Sequence, residues 1–158
     1  MTLTLLALLL ATAFPSTSQT SWMTPQSFHL AVGMSRADTV RALSDSGWEM
    51  KPGRNEGEYV VDYSDARAMT LEFSKGRLSS LRFELFAMLP DIRSAFEEQK
   101  SLLKKVHGAP KKRIRSPSVV LYDDRLPNIM VVVSADPQSE YGRKGFGFLA
   151  VRYFDPVK

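Results

Sequence analysis

The most constraining feature of this chain is a recurrence. Val60-Val61-Asp62-Tyr63-Ser64-Asp65 returns as Val119-Val120-Leu121-Tyr122-Asp123-Asp124. Each copy follows a helix-like stretch closed by a glycine, Gly47 in one case and Gly108 in the other. Each is followed by another apolar, strand-like run. Self-similarity of this kind implies one supersecondary unit used twice.

The local signals fill in that unit. Ser35 is a good helix N-cap, with Asp38 three residues on in the manner of a capping box. Ala37, Val40 and Leu43 supply an apolar stripe. Gly47 ends the helix as a left-handed residue, which puts Trp48 and Leu43 at the two positions whose contact closes a Schellman motif. Trp48 therefore reads as a helix-end plug. Upstream, Phe28, Leu30 and Val32 alternate as a short extended segment. Lys51 to Gly57 reads as a polar loop. Tyr59, Val61 and Tyr63 alternate as one strand, and Met69, Leu71 and Phe73 as the next.

A hairpin follows at Lys75-Gly76, and burial constrains its register. A two-residue loop pairs Phe73 with Leu78 and Met69 with Arg82, and sends Leu81, Phe83 and Leu85 to the opposite face. A three-residue loop, Ser74-Lys75-Gly76 with Gly76 left-handed, keeps Met69, Leu71, Phe73, Leu81, Phe83 and Leu85 together and leaves out only Leu78. The three-residue loop is the expectation. Leu89-Pro90-Asp91 then opens a second helix, with Ile92, Ala95, Phe96, Leu102, Leu103 and Val106 at helical spacing. His107, Gly108 and Pro110 end it. Strands follow at residues 118–122, 129–135 and 146–154. Hairpin-linked strands pair antiparallel. The expected fold is α+β: two similar helix-plus-three-strand units, about residues 28–88 and 90–155, forming one antiparallel sheet with helices on one face.

The N-terminus reads separately. Leu3 to Ala13 is nearly all Leu and Ala, Pro15 breaks it, and Ser16, Thr17 and Ser18 supply small residues. That is the pattern of a secretory signal peptide, residues 1–18, although no Lys or Arg precedes the apolar run. Cleavage after Ala13 also fits, but a cut after Ser18 leaves Pro15 at the end of the apolar region. Residues 19–27 then read as a flexible leader, and residues 28–158 as a single domain. The run is shorter than the ~20 apolar residues of a membrane span. The expected location is periplasmic or secreted. The chain contains no cysteine, so it has no disulfide, no thiolate metal site and no cysteine to carry a lipid anchor.

Charge is unevenly placed. The net charge is +4. Residues 20–89 hold eight Lys/Arg against nine Asp/Glu, whereas residues 90–158 hold thirteen against eight. The excess lies in Lys100, Lys104, Lys105, Lys111, Lys112, Arg113 and Arg115, a stretch without an acid. Such a run suits an anionic lipid or glycolipid surface, at about 1 kcal/mol per basic residue. It equally suits a solvated helix end, since cations complement the C-terminal dipole. Export makes nucleic acid a poor partner.

No catalytic constellation emerges. His29 and His107 are the only histidines, too few for a histidine zinc site without help. Asp62 with Asp65, and Asp123 with Asp124, read as turn chemistry and lack a calcium-loop pattern. There is no nucleophile-elbow motif, and Gly142-Arg143-Lys144-Gly145 lacks phosphate-loop spacing. No metal and no cofactor is expected. The chain reads as a non-enzymatic module that binds another protein. The candidate binding residues are Tyr59, Tyr63, Tyr122 and Tyr153, taken to point away from the helices. The alternative is an anionic surface met by Lys104, Lys105, Lys111, Lys112, Arg113 and Arg115.

The order of elements resembles the BamE-like (SmpA/OmlA) and beta-lactamase-inhibitor-protein-like group. The resemblance rests on Gly33-Met34-Ser35 followed by Val40 and Leu43, and on Phe73-Ser74-Lys75-Gly76-Arg77-Leu78. Gly108-Ala109-Pro110 and the ending Val151-Arg152-Tyr153-Phe154-Asp155 also fit, so it spans residues 28–155. It implies a tandem α/β fold and a small envelope or secreted module that binds proteins through its sheet face and loops. The assembly members are usually lipoproteins and the inhibitors carry disulfides, so neither specific activity transfers to a chain without cysteine.

Overall fold

A computed structural model describes residues 20–64, 67–109, 112–113, 119–122, 130–136 and 146–156. Two α-helices and one antiparallel sheet give the α+β class. The helices are α1 (Arg36–Asp45) and α2 (Leu89–His107). The strands are β1 (Lys51–Pro52), β2 (Glu58–Ser64), β3 (Arg67–Ser74), β4 (Arg77–Met88), β5 (Lys112–Arg113), β6 (Val119–Tyr122), β7 (Met130–Asp136) and β8 (Phe146–Phe154). They lie in the order β1-β2-β3-β4-β8-β7-β6-β5. Each helix is thus followed by four strands rather than three. The added strands, β1 and β5, have two residues each and close the two edges. They escape a periodicity reading because two residues cannot show alternation. Very short edge strands carrying Lys or Pro are a poor template for further pairing.

Side chains alternate across the sheet. Val61, Met69, Leu71, Leu81, Phe83, Leu85, Leu149, Val151 and Tyr153 form one buried cluster with Leu43 of α1 and with Ile92, Ala95 and Leu103 of α2. Both helices therefore cover the same face. α2 buries Ile92, Ala95, Gln99 and Leu103 and crosses β4, β6, β7 and β8. Val106, expected in its stripe, lies in the last turn of α2 and is 49% exposed. α1 is shorter and buries only Thr39 and Leu43. Val40 is 41% exposed, and Ala37 is exposed as well.

A short α1 leaves sheet surface uncovered, and the chain before it fills the gap. Thr20 and Met23 are fully buried, Phe28 and Leu30 are 4% exposed. Phe28 stacks on Phe83 at 5.7 Å between ring centroids, and Trp22 meets Phe83 edge-on at 5.9 Å. The segment expected to be a flexible leader is packed from Thr20 onward. Pro25–Phe28 is a 3-10 turn, and His29 stands at φ 55°, so no strand forms over residues 28–32. Apolar residues clustered at Met23, Phe28 and Leu30 are needed by the core, which outweighs their turn-rich sequence.

The ends of α1 match the expectation. The Ser35 hydroxyl oxygen accepts from the Asp38 N–H, and the hydroxyl itself donates to the Asp38 carboxylate at 2.6 Å. At the other end the Trp48 N–H donates to the Leu43 carbonyl and the Gly47 N–H to the Ser44 carbonyl, both at 2.9 Å, with Gly47 at φ 80°. That is a Schellman motif.

The β3–β4 hairpin corrects the expected loop. Ser74 pairs with Arg77, so the loop has two residues, Lys75 and Gly76, at φ 52° and 73°. Burial is reconciled by a β-bulge instead. Phe73 pairs with Leu78 but Glu72 pairs with Ser80, leaving Ser79 as the extra residue. One inserted residue restores phase, so Leu71 faces Leu81 and Met69 faces Phe83. Leu78, which a three-residue loop would exclude, is fully buried as well.

Candidate functional site

The face of the sheet opposite the helices is the candidate site. Its centre is built by alternate residues of β4 and β8: Ser80, Arg82, Glu84, Phe86 and Met88 against Phe154, Arg152, Ala150, Phe148 and Phe146. Phe86, Phe146, Phe148 and Phe154 are each half-buried, and Met88 is 55% exposed. The Phe86 and Phe146 rings are stacked at 5.4 Å and 9°. This end of the face is apolar among the described residues.

The middle of the face is charged. Arg82 and Arg152 are direct partners across β4 and β8. Like charges so placed destabilise a sheet, and two glutamates offset them. Glu84 Oε1 lies 3.2 Å from Arg82 Nε, and its other oxygen accepts from the Thr70 hydroxyl at 3.2 Å. Arg152 donates through Nη2 to Glu72 at 3.0 Å and through Nε to the Ser80 hydroxyl at 2.8 Å. Its guanidinium also lies 4.9 Å from the Phe154 ring centroid. Pairs this exposed contribute little stability. Their effect is to fix the Arg152 guanidinium beside the Phe154 ring and to set Glu84 against Arg82.

The tyrosines expected on this face are elsewhere, so far as they are described. Tyr153 is 6% exposed and belongs to the core, edge-on to Phe83 at 6.2 Å. Burial pushes its phenol well above the usual tyrosine range. Tyr59 pairs with Leu71 on the helix side, meets Phe73 edge-on at 5.7 Å and carries Arg36 over its ring at 4.7 Å. Both lie on the core side because they share the parity of Val61 and Val151. Tyr63 sits at the register shift between Asp62 and Ser64, and Tyr122 is the strand partner of Met130; their side chains lie outside the described residues.

Lys104 and Lys105 are exposed in the last turn of α2. Lys112 and Arg113 form β5, opposite Val120 and Val119. Lys111 and Arg115 lie outside the described residues, as do Asp123 and Asp124. Among the described residues, no group of three His, Cys, Asp or Glu is placed to hold a metal ion, and no helix is long and apolar enough to cross a membrane.

Sequence reasoning missed the phenylalanines, although a signal was present. Phe146, Phe148 and Phe154 are out of phase with Leu149, Val151 and Tyr153, so β8 is apolar on both faces. A strand covered on one side only needs one apolar set.

The fold and this face define the class: a single antiparallel sheet with two helices on one side and an aromatic, arginine-bearing surface on the other. No family model, no curated protein and no solved structure matches the chain.

Proposed function

We propose that this chain is an exported, non-enzymatic module that binds another protein against the open face of its sheet. The observation that carries this reading is the pairing of Phe86, Phe146, Phe148 and Phe154 with Arg82 and Arg152 on the face opposite both described helices. Aromatic residues and arginine are enriched in protein interfaces, and they dominate binding energy where a few residues carry most of it. A face meant only for water gains nothing from four phenylalanines. The apolar N-terminal stretch Leu3–Ala13 supports export, and the absence of cysteine supports an unanchored product.

The same proposal includes a duplicated architecture of the BamE-like and inhibitor-like kind. Its support is the register of the sheet. One cross-strand row runs Lys51, Val60, Thr70, Arg82, Arg152, Val132, Val120, Lys112. It reads almost the same from either edge, with the midpoint between the two arginines. β2 and β6, which hold most of the recurring segments, are each second from an edge, with the row setting Val60 against Val120, one residue out of step with the recurrence.

The test uses the mature protein as bait in its own envelope extract. A species retained by wild type should be lost by Phe86→Ser/Phe148→Ser, with the binding constant weakened by about 2 kcal/mol or more. It should survive replacement of Lys104, Lys105, Lys111, Lys112, Arg113 and Arg115 by Gln. The exposed Lys104 and Lys105 favour the second reading, an anionic surface. Loss of association in the six-Gln protein alone would establish that reading and overturn the sheet.

A further inference from the structure

We infer that a cleft between α1 and β2, on the helix side of the sheet, binds a small monocarboxylate with an apolar body. The cleft has a volume of about 300 Å³. Val40, Leu43, Trp48 and Met50 supply its apolar wall, and Arg36 and Tyr59 its polar end. Arg36 and Val40 recur at helical spacing, so α1 presents a second face here, and Leu43 stands at its boundary with the Thr39–Leu43 side that meets the core. The Schellman turn folds Trp48 back beside that face. Val40 is 41% exposed, a valine open to solvent on the cleft wall.

The charge is what selects the ligand. Arg36 lies over the Tyr59 ring at 4.7 Å and donates a hydrogen bond to its hydroxyl. Ring and hydroxyl together hold the guanidinium in place before any ligand arrives. Among the described residues Arg36 joins no ion pair: Asp38, the nearest acid in sequence, bonds Ser35 and lies 3.6 Å from Arg41. The remaining N–H donors of Arg36 form a fork suited to a planar carboxylate. Glu49 and Ser44 complete the rim. Glu49 is exposed and in no ion pair with Arg36 among the described residues, so it leaves the guanidinium fork free.

Size and lining narrow the class further. At ~30 Å³ per water-sized group, the cleft takes roughly ten non-hydrogen atoms. That is the low end of ligand pockets. A single guanidinium beside four apolar side chains suits a singly charged carboxylate better than a phosphate dianion. A ligand this small binds in the millimolar to high micromolar range.

Hydrocinnamate, an aryl monocarboxylate of this size, is the probe, with its neutral amide as control. Titration into the mature protein is followed by NMR at the two indole N–H signals. Hydrocinnamate should shift Trp48 and leave Trp22 in place, and the amide should bind at least tenfold more weakly. Arg36→Gln should cost at least tenfold in affinity with the thermal transition retained. Val40→Asp, at an exposed position, should lose binding by placing a carboxylate in the cleft. Equal binding of acid and amide, unchanged affinity in Arg36→Gln, or shifts centred on Trp22 would overturn the assignment. So would a tetrapeptide ending in phenylalanine that binds tenfold more tightly than hydrocinnamate, since the site would then read a peptide terminus.

Discussion

Lys75 and Gly76 both stand at positive φ in a two-residue hairpin loop. Glycine takes that conformation without strain, whereas an ordinary L-residue is strained by roughly 1–2 kcal/mol. Lys75→Asn should therefore raise stability by about 0.5 kcal/mol, since asparagine before glycine is favoured in this turn. Gly76→Val should lower it by about 1–3 kcal/mol. Urea unfolding of the two variants reads both signs. Gln99 is a buried polar residue in an apolar setting. It is fully buried on α2, and neither its Nε2 nor its Oε1 has a hydrogen-bond partner among the described residues. An unsatisfied buried polar group costs about 1–3 kcal/mol. Gln99→Leu, close in volume, should raise the urea midpoint. Tyr153 makes stability depend on alkaline pH. Its phenol stays neutral in the fold, while an unfolded tyrosine ionises near about pH 10. Above that pH the folded chain holds a proton that the unfolded chain has lost, so stability falls as pH rises and is unaffected below. Tyr153→Phe should flatten that decline in unfolding measured from pH 8 to about pH 11.

At the scale of elements, the bulge at Ser79 decides where β4 points its side chains. Turn chemistry at Lys75-Gly76 demands two residues, and burial of Leu81, Phe83 and Leu85 demands a shift of one. An extra residue in β4 satisfies both. The bulge is also tied down: the Ser79 carbonyl accepts from the Asp155 N–H at 3.1 Å, and its hydroxyl donates to the Glu72 carbonyl at 3.0 Å. Deleting one of the two adjacent serines should leave a regular hairpin with the same faces, at a loss of about 1–2 kcal/mol for those bonds. Inserting an alanine between Ser80 and Leu81 should abolish cooperative unfolding, because it turns the whole apolar set of β4 toward water. Circular dichroism melts of the two proteins separate these outcomes. The hairpin was half legible in sequence. Six apolar residues on one face were readable from alternation. Whether the loop or the strand absorbed the odd residue was not, because both solutions bury the same six side chains.

The whole molecule is organised around a strand made last. β8 lies at the centre of the sheet, between β4 and β7, and its ladder with β4 has nine residue pairs. Its partner β4 is connected to it only through α2 and the three strands that follow. Truncation after residue 145 would leave β4 and β7 with open edges and remove Leu149, Val151 and Tyr153 from the core. The truncated chain should show no cooperative thermal transition. Pairing across so many residues also makes folding slow for a domain of this size. The binding face belongs to this scale as well. Phe86 and Phe148 are 62 residues apart in the chain and meet only because β4 and β8 pair.

By itself the sequence determined the local, short-range features. Ser35 and Gly47 bracket α1 because capping and left-handed backbone are properties of a few neighbouring residues. The stripe of α2 and the alternation of β3 and β4 follow from fixed periods of helix and strand. Packing decided the rest. Tyr59 and Tyr153 face the helices rather than a partner because strand parity, once registered against Val61 and Val151, assigns them to the core. Residues from Thr20 are ordered because α1 is too short to cover Phe83, and the nearest apolar side chains fill that space. The phenylalanine face exists only once β8 inserts beside β4. A face depends on which strands become neighbours, and that is set by the free energy of closing one shared core.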